Sequence, residues 1–386
     1  MVPVLAAAAF VIFAQIFMIA PVLPALAQAF STTPGHIGLA IPLYLIPHGV
    51  LTLVWGPISD RFGRRRVIMG SLIAFVVLAA LTTLAPTANA FLAMRMLTAL
   101  AASGVVPIAL ALVGDLIPYQ QRGHALGWLF GGMAGGMAFG AAGGALAEPL
   151  IGWRGLFGVA AAFGLALVIA ATVLRAIPPH AEPAADAPAA SSEGYLALLR
   201  TDRGRRTYGY VLINALVQSG IYSWFGLYLH VHYGLDEVGI GLAMLGYGLP
   251  GFVLGPVIGR AADRWGRARV IPAGVALTAV CAFALAAPLP ALGAQIAIVL
   301  LSLGYDMTQP PLAGIVTDLP GSRGKAMGFN AFTLFTGFGI GALIFQIAFT
   351  WTGFTTAFLL FGAAAAIAAL AAVPLFRSER PTEHQG

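Results

Sequence analysis

Charge is scarce in this chain, and that scarcity excludes most soluble folds. Of its 386 residues only 9% are charged and 59% are hydrophobic, and the mean hydropathy is +0.90. A soluble domain carries about 25% charged residues. So much apolar surface cannot be hidden inside a water-facing globule, and the bilayer is the expected solvent. Cysteine is nearly absent. Cys281 stands alone in an apolar run, which excludes an intrachain disulfide and a cysteine-bound metal cluster. The seven histidines are scattered, with only His230 and His232 close together, and no G-x-x-x-x-G-K phosphate loop occurs. A membrane enzyme would need a cluster of metal ligands or nucleophiles, so no catalytic residue, metal or cofactor is expected. The net charge of +6 comes from arginines in short turns. They form neither a stripe nor a basic domain, so nucleic acid is not an expected partner.

What is present is a series of twelve long apolar segments. They lie at roughly 4–29, 36–57, 67–86, 91–114, 123–147, 154–175, 207–231, 238–259, 270–290, 292–316, 325–350 and 354–376. Each is near the ~20 residues a spanning helix needs, and none alternates with the period of a barrel strand. The first has no basic leader and is too long for a signal core, so it reads as a retained span. All lysines and arginines except Arg95 and Arg154 fall after spans 2, 4, 6, 8 and 10 or in the C-terminal tail. The positive-inside rule then makes both termini cytoplasmic. The Pro/Ala-rich stretch from Pro178 to Glu193 reads as a flexible linker. The expected organisation is a six-helix bundle over 1–177, a cytoplasmic linker over 178–206, a second bundle over 207–377 and a tail over 378–386.

The chain is internally duplicated. Residues 56–66 read G-P-I-S-D-R-F-G-R-R-R, and 259–269 read G-R-A-A-D-R-W-G-R-A-R, 203 positions later. Arg122–Gly127 recurs as Arg323–Gly328, and Gly136 and Gly140 recur as Gly337 and Gly341, both at an offset of 201. Repeats of this kind build transporters with a site between the halves, near the bilayer midplane. Here the chain resembles the major facilitator superfamily. Gly56, Asp60, Arg61, Gly63 and Arg64, with Gly259, Asp263, Arg264, Gly266 and Arg267, match its signature turn between spans 2 and 3 and that turn's copy. Ala268 stands where a second basic residue is usual. The resemblance implies an all-α integral membrane protein of twelve helices in two pseudo-symmetric bundles. It also implies a latch, in which Asp60 faces the start of span 11 and Asp263 the start of span 5. Asp115 and Asp318, at the ends of spans 4 and 10, can pair with the same arginines. A monomer in a bacterial inner membrane is expected, in contact with lipids.

Polar groups inside the spans carry the functional reading, because each is costly in hydrocarbon. Asp306 is the only acid well inside a span, about 21 Å along span 10 at 1.5 Å per residue. A carboxylate there can take up and release protons. His48 in span 2 is a second candidate, its simpler reading being a satisfied core histidine. Arg95 in span 4 matches, by resemblance, the arginine of a family motif associated with proton transfer. Its simpler reading is a carbonyl-bound arginine. Gln15, Tyr44, Met137, Asn214, Gln218, Tyr222, Tyr247, Gln309 and Asn330 are candidate cavity residues, each individually also a packing residue. Gly132, Gly136, Gly140 and Gly144 share one face of span 5 and suit close helix packing, as do Gly337 and Gly341 in span 11. The span 5 stripe resembles the glycine-rich motif of the family's antiporters, with Phe139-Gly140 where that motif has Gly-Pro. The expected function is alternating-access transport of a small organic solute, by proton-coupled efflux. The alternative is proton-coupled or facilitated uptake of a metabolite such as an organic acid, with Arg95 as its anion partner. A fold-retaining sensor is the reading from another class.

Overall fold

The computed structural model describes residues 1–117, 119–178, 195–244, 246–251, 253–254, 258, 265–317, 319 and 323–379. The expected sites at Gly259, Asp263, Arg264 and Asp318 lie outside these residues, and so does the side chain of Asp60.

Among the described residues helices occupy the expected spans, and the chain's prolines and glycines decide where they break. Span 1 runs as Val2–Phe17, turns near Pro21 and resumes as Leu23–Ala29. Proline lacks an N–H and clashes with the preceding turn, so the helix stops before Pro21, while Pro24 is tolerated in the first turn of the next helix. Span 2 opens as Pro34–Gly38, capped by the Thr33 hydroxyl, which accepts the His36 N–H at 3.2 Å, and continues as Pro42–Phe62. Span 3 is Arg64–Thr82, and span 4 is Ala88–Ala102 followed by Val105–Leu116. Spans 5 and 6 occupy Tyr119–Val173 and part at Gly152, whose φ of +67° is non-helical. Spans 11 and 12 occupy Arg323–Leu375 and part at Gly353, with φ of +83°. Span 9 is Arg267–Ala286 and span 10 is Ala291–Thr317.

The turn glycine of the duplicated motif takes the same conformation in both copies. Gly63 has φ of +90° and Gly266 has φ of +84°. Only glycine adopts this conformation freely, which is why each copy of the motif carries one at its turn.

Two elements differ from the sequence expectation. Span 7 begins at Asp202, not 207, because Thr201 caps it by accepting the Gly204 N–H at 3.0 Å. Arg203, Arg205 and Arg206 therefore ride on the first turns of span 7. Span 8 is discontinuous. Glu237–Met244 is helical, 246–248 form a turn with Gly248 at φ of +79°, and helix resumes at 249.

The glycine stripes seat neighbouring helices backbone to backbone. A Cβ on Gly136 would lie 2.4 Å from the Phe10 carbonyl oxygen, and one on Gly140 would lie 2.4 Å from the Ala14 Cα. Gly132 meets Ala6 and Gly144 meets Met18, so the stripe lies along span 1. In the other half Gly337 and Gly341 meet Leu212, Ala215 and Leu216 of span 7. Each half thus clamps its first span with its fifth.

Among the described residues the halves meet closely on the side away from the basic turns. Gln346 donates to the Gly35 carbonyl at 2.7 Å, and the Tyr222 hydroxyl donates to the Phe17 carbonyl at 3.3 Å. Trp224 packs so tightly on Gly38 that a Cβ there would sit 2.1 Å from the indole. Gly241 of span 8 packs on Ala145 and Leu146 of span 5.

Candidate substrate and coupling site

Two polar centres flank the contact between the halves. The first is Arg95, completely buried in span 4. Its Nη1 donates to the Gln15 side-chain oxygen at 3.0 Å and to the Gln15 carbonyl at 3.3 Å. The guanidinium carbon lies over the Tyr44 ring, 4.2 Å from its centroid, and 5.9 Å from that of Phe157. Both contacts are of cation–π type. The Nε and Nη2 atoms have no partner, and neither do Gln15 Nε2 and the Tyr44 hydroxyl, all of them buried. His48 stacks beside Tyr44 at 5.8 Å. Its ring lies near the Ala99 carbonyl, but neither nitrogen reaches hydrogen-bond geometry.

The second centre is Asp306, at the break in span 8. Its Oδ2 accepts from Ser302 Oγ at 3.4 Å, and Ser302 Oγ in turn accepts the Gly248 N–H at 3.1 Å. Gly251 of span 8 lies against the carboxylate. A Cβ on Gly251 would lie 2.7 Å from both carboxylate oxygens, so only glycine leaves the acid this place. Gly248 itself rests on Ala138 of span 5, in the other half. The acid therefore sits at the seam. Tyr247 and Tyr305 stand close enough to feel its charge.

Aromatic side chains fill the space between the centres. Phe335 of span 11 lies 4.5 Å from His48 and 5.9 Å from Phe13. Phe338 meets Phe17 at 6.4 Å and Tyr305 at 5.9 Å, while Tyr222 stacks on Tyr247 at 4.0 Å. Gln218 donates to the Tyr247 hydroxyl at 2.6 Å, and Asn214 donates to Thr308 at 2.9 Å. Gln309 Nε2 and Asn330 Oδ1 are buried atoms without partners, and Met137 packs at the edge of the core.

At the basic end, Arg64 bonds Asp115 at 3.2 Å and also donates to Ser59. Arg61 lies exposed over Phe62. Arg267 packs against Gly314 of span 10, and a Cβ on Gly56 would meet nothing within 4 Å. Arg203 and Arg206 both hold Glu379 of the C-terminal turn Arg377–Glu379. The Tyr195 hydroxyl of the linker's short helix Tyr195–Leu199 donates to the Leu53 carbonyl of span 2 at 3.1 Å.

The family model of the Major Facilitator Superfamily matches residues 5–239 and again 207–386. The chain belongs to the major facilitator superfamily. It is 26% identical to the MFS-type transporter YwfA of Bacillus subtilis over 81% of this chain and 76% of that relative. A chloramphenicol resistance protein of Pseudomonas aeruginosa is 31% identical over 40% of this chain and 36% of its own length. Among solved structures, the D-xylose–proton symporter superposes with a TM-score of 0.78 over 96% of both chains, at 13% identity. That likeness concerns the fold alone. The superfamily member is thus an all-α integral membrane transporter of twelve helices in two pseudo-symmetric bundles.

Sequence reasoning singled out Asp306 and Arg95, together with Gln15, Tyr44, His48 and Tyr247 beside them, but missed Ser302, Gly251, Phe335 and Phe338. Ser302 was legible as the residue one helical turn before Asp306. Gly251, Phe335 and Phe338 come from other spans and carried no local signal. Gln15 and Gln218 stand 203 positions apart, as do Tyr44 and Tyr247, the spacing of the signature motif.

Proposed function

We propose that this transporter exports a small organic solute across the plasma membrane in exchange for protons, with Asp306 as the coupling carboxylate. The observation that carries the reading is the place of Asp306. It is the only acid well inside a span, it rests on the discontinuity of span 8, and that discontinuity bears on span 5 of the other half. Protonation there changes the charge at the seam along which the halves would rock, so proton movement and conformational change share one locus. The relative named for chloramphenicol resistance supports the outward direction. The basic turns would face the cytoplasm, with both termini on that side. Arg95 and His48 would tune the coupling. The aromatic layer between the centres would form the wall of the solute cavity, with Gln218, Tyr222, Tyr247, Gln309 and Asn330 as polar points on it. Asp60, Asp115 and the signature arginines would latch the basic side.

A second reading, proton-coupled uptake of an organic acid, is favoured by one observation, the buried Arg95 without an acidic partner among the described residues.

The test uses everted membrane vesicles holding a proton gradient, with chloramphenicol, amphipathic dyes, sugars and organic acids added in turn. A transported compound should discharge the gradient in wild type and not in Asp306→Asn. Full discharge by Asp306→Asn removes Asp306 from the coupling step. A compound that acidifies right-side-out vesicles on entry supports uptake instead.

A further inference from the structure

We propose that the N-terminal half binds the carboxylate of an organic solute on Arg95, with Gln15, Tyr44 and His48 completing the cradle. The inference rests on the chain's being a transporter of a small organic solute and names the chemical class of that solute. It does not depend on direction or on proton coupling.

The argument begins with the free edge of the guanidinium. Arg95 is fully buried and uses only Nη1, on the two oxygens of Gln15. The unpartnered atoms are Nε and Nη2. These two share one edge of the planar fork, the edge that takes both oxygens of a carboxylate side-on. A buried cation with half its donors unmet is costly, and an incoming anion removes that cost.

The neighbours point the same way. Gln15 Nε2, the Tyr44 hydroxyl and both His48 nitrogens are buried and without hydrogen-bond partners. The amide, the hydroxyl and one nitrogen of a neutral imidazole can donate. Among the described residues Arg95 forms no ion pair, and the sequence places no acid within spans 1 to 4 away from their ends. A donor-rich, acid-free pocket repels cations and suits an anion.

The other half provides the control. There Gln218 and Tyr247, each 203 positions after Gln15 and Tyr44, are joined by a hydrogen bond of 2.6 Å, and Gln218 Oε1 is left without a partner. The fold therefore does not require these positions to stay open. Where the arginine is added, the glutamine turns its oxygen to Arg95 and the Nε2 and hydroxyl donors are left free.

The wall beyond His48 selects against a bare inorganic anion. Phe335 lies 4.5 Å from the imidazole, and Phe13 and Phe338 continue from it at 5.9 and 6.4 Å. An apolar or aromatic body attached to the carboxylate would stack there. The cradle is closed in this structure, with Gln346 on Gly35 and Trp224 on Gly38 sealing its outer side, so entry requires the halves to part.

The test is equilibrium binding to the purified full chain in detergent, by calorimetry at one pH. The probes are 2-naphthoate, 2-naphthamide, 2-naphthylmethylammonium and inorganic phosphate. Naphthoate should bind about tenfold to a hundredfold more tightly than the amide, the range expected for a charge-assisted hydrogen-bonded pair. The ammonium should bind more weakly still, and phosphate should not displace naphthoate. Arg95→Gln should bring acid and amide to equal affinity, with the amide unchanged, and Gln15→Leu should reduce the preference in part. The acid–amide comparison in wild type stands even if a variant fails to fold. Equal affinity for acid and amide in wild type, no binding of naphthoate, or a preference that survives Arg95→Gln each overturns the proposal. Displacement by phosphate overturns the organic class. If the carboxylate preference fails while vesicle discharge persists, the cradle is rejected and the transporter reading stands.

Discussion

Gln218 gives its Nε2 hydrogen to the Tyr247 hydroxyl over 2.6 Å, while Gln15 and Tyr44, 203 positions earlier, keep their Nε2 and hydroxyl atoms unpartnered. The two halves share a Gln–Tyr frame and differ in the charge set beside it, Arg95 in one and Asp306 in the other. Tyr247→Phe should therefore strand a fully buried amide and cost about 1–3 kcal/mol. Tyr44→Phe removes a hydroxyl that has no partner and keeps the ring under the guanidinium, so it should cost less than about 0.5 kcal/mol. Melting of the two variants in one detergent measures the contrast. Equal losses would mean that the Gln218–Tyr247 bond contributes nothing specific.

The seam between spans 1 and 5 gives a matched pair of glycines. A Cβ on Gly140 would sit 2.4 Å from the Ala14 Cα, whereas one on Gly143 meets nothing within 4 Å. Backbone cannot yield as a side-chain tip can, so Gly140→Ala should destabilise by about 1–3 kcal/mol. Gly143→Ala, on the open face of the same helix, should stay near wild type or gain slightly from helix propensity. Chemical denaturation of both variants decides it, and a loss at Gly143 comparable to that at Gly140 would reject backbone contact as the cause.

How much of this was legible in the chain depends on the range of each cause. The twelve segments and the repeat are legible because hydrocarbon length and charge placement act locally. Asp306 is legible because an acid in an apolar run is rare. The break in span 8 is not, since Gly246-Tyr247-Gly248 is tolerated in a continuous helix as well as in a turn. The partner that fits Asp306, Gly251, lies on another span, and its role is a lack of side chain, which leaves no mark in composition.

The C-terminal turn is tied to span 7 by charge. Burial by itself pushes the Glu379 carboxyl up, but the Arg203 hydrogen bonds and the charges of Arg203, Arg206 and Arg267 outweigh it and hold the group below its ordinary range. A carboxyl depressed in the folded state stabilises fully above its unfolded value of about 4.3, and loses that contribution as pH falls through the lower folded value. Glu379→Gln should thus lower the melting temperature at pH 7, and the gap from wild type should close toward pH 3. A gap that is the same at both pH values would mean that packing, not charge, holds the turn.

Gly251 offers a way to move Asp306 without altering its chemistry. In Gly251→Ala the new methyl would lie 2.7 Å from the carboxylate carbon and from both its oxygens. The carboxylate is the far end of a flexible side chain, so it should swing away while the helices stay in place, leaving stability within about 1 kcal/mol of wild type. In its new position it would lose its contact with Ser302. If the coupling depends on this placement, proton exchange should fall about tenfold or more, since ångström-scale misplacement of a reacting group costs rate on that scale. Ser302→Ala, which leaves Gly251 bare, should do less. The vesicle assay together with a melting curve separates the cases. An unchanged discharge rate in a well-folded Gly251→Ala protein would show that the aspartate works from anywhere along the seam, and the break in span 8 would lose its place in the mechanism.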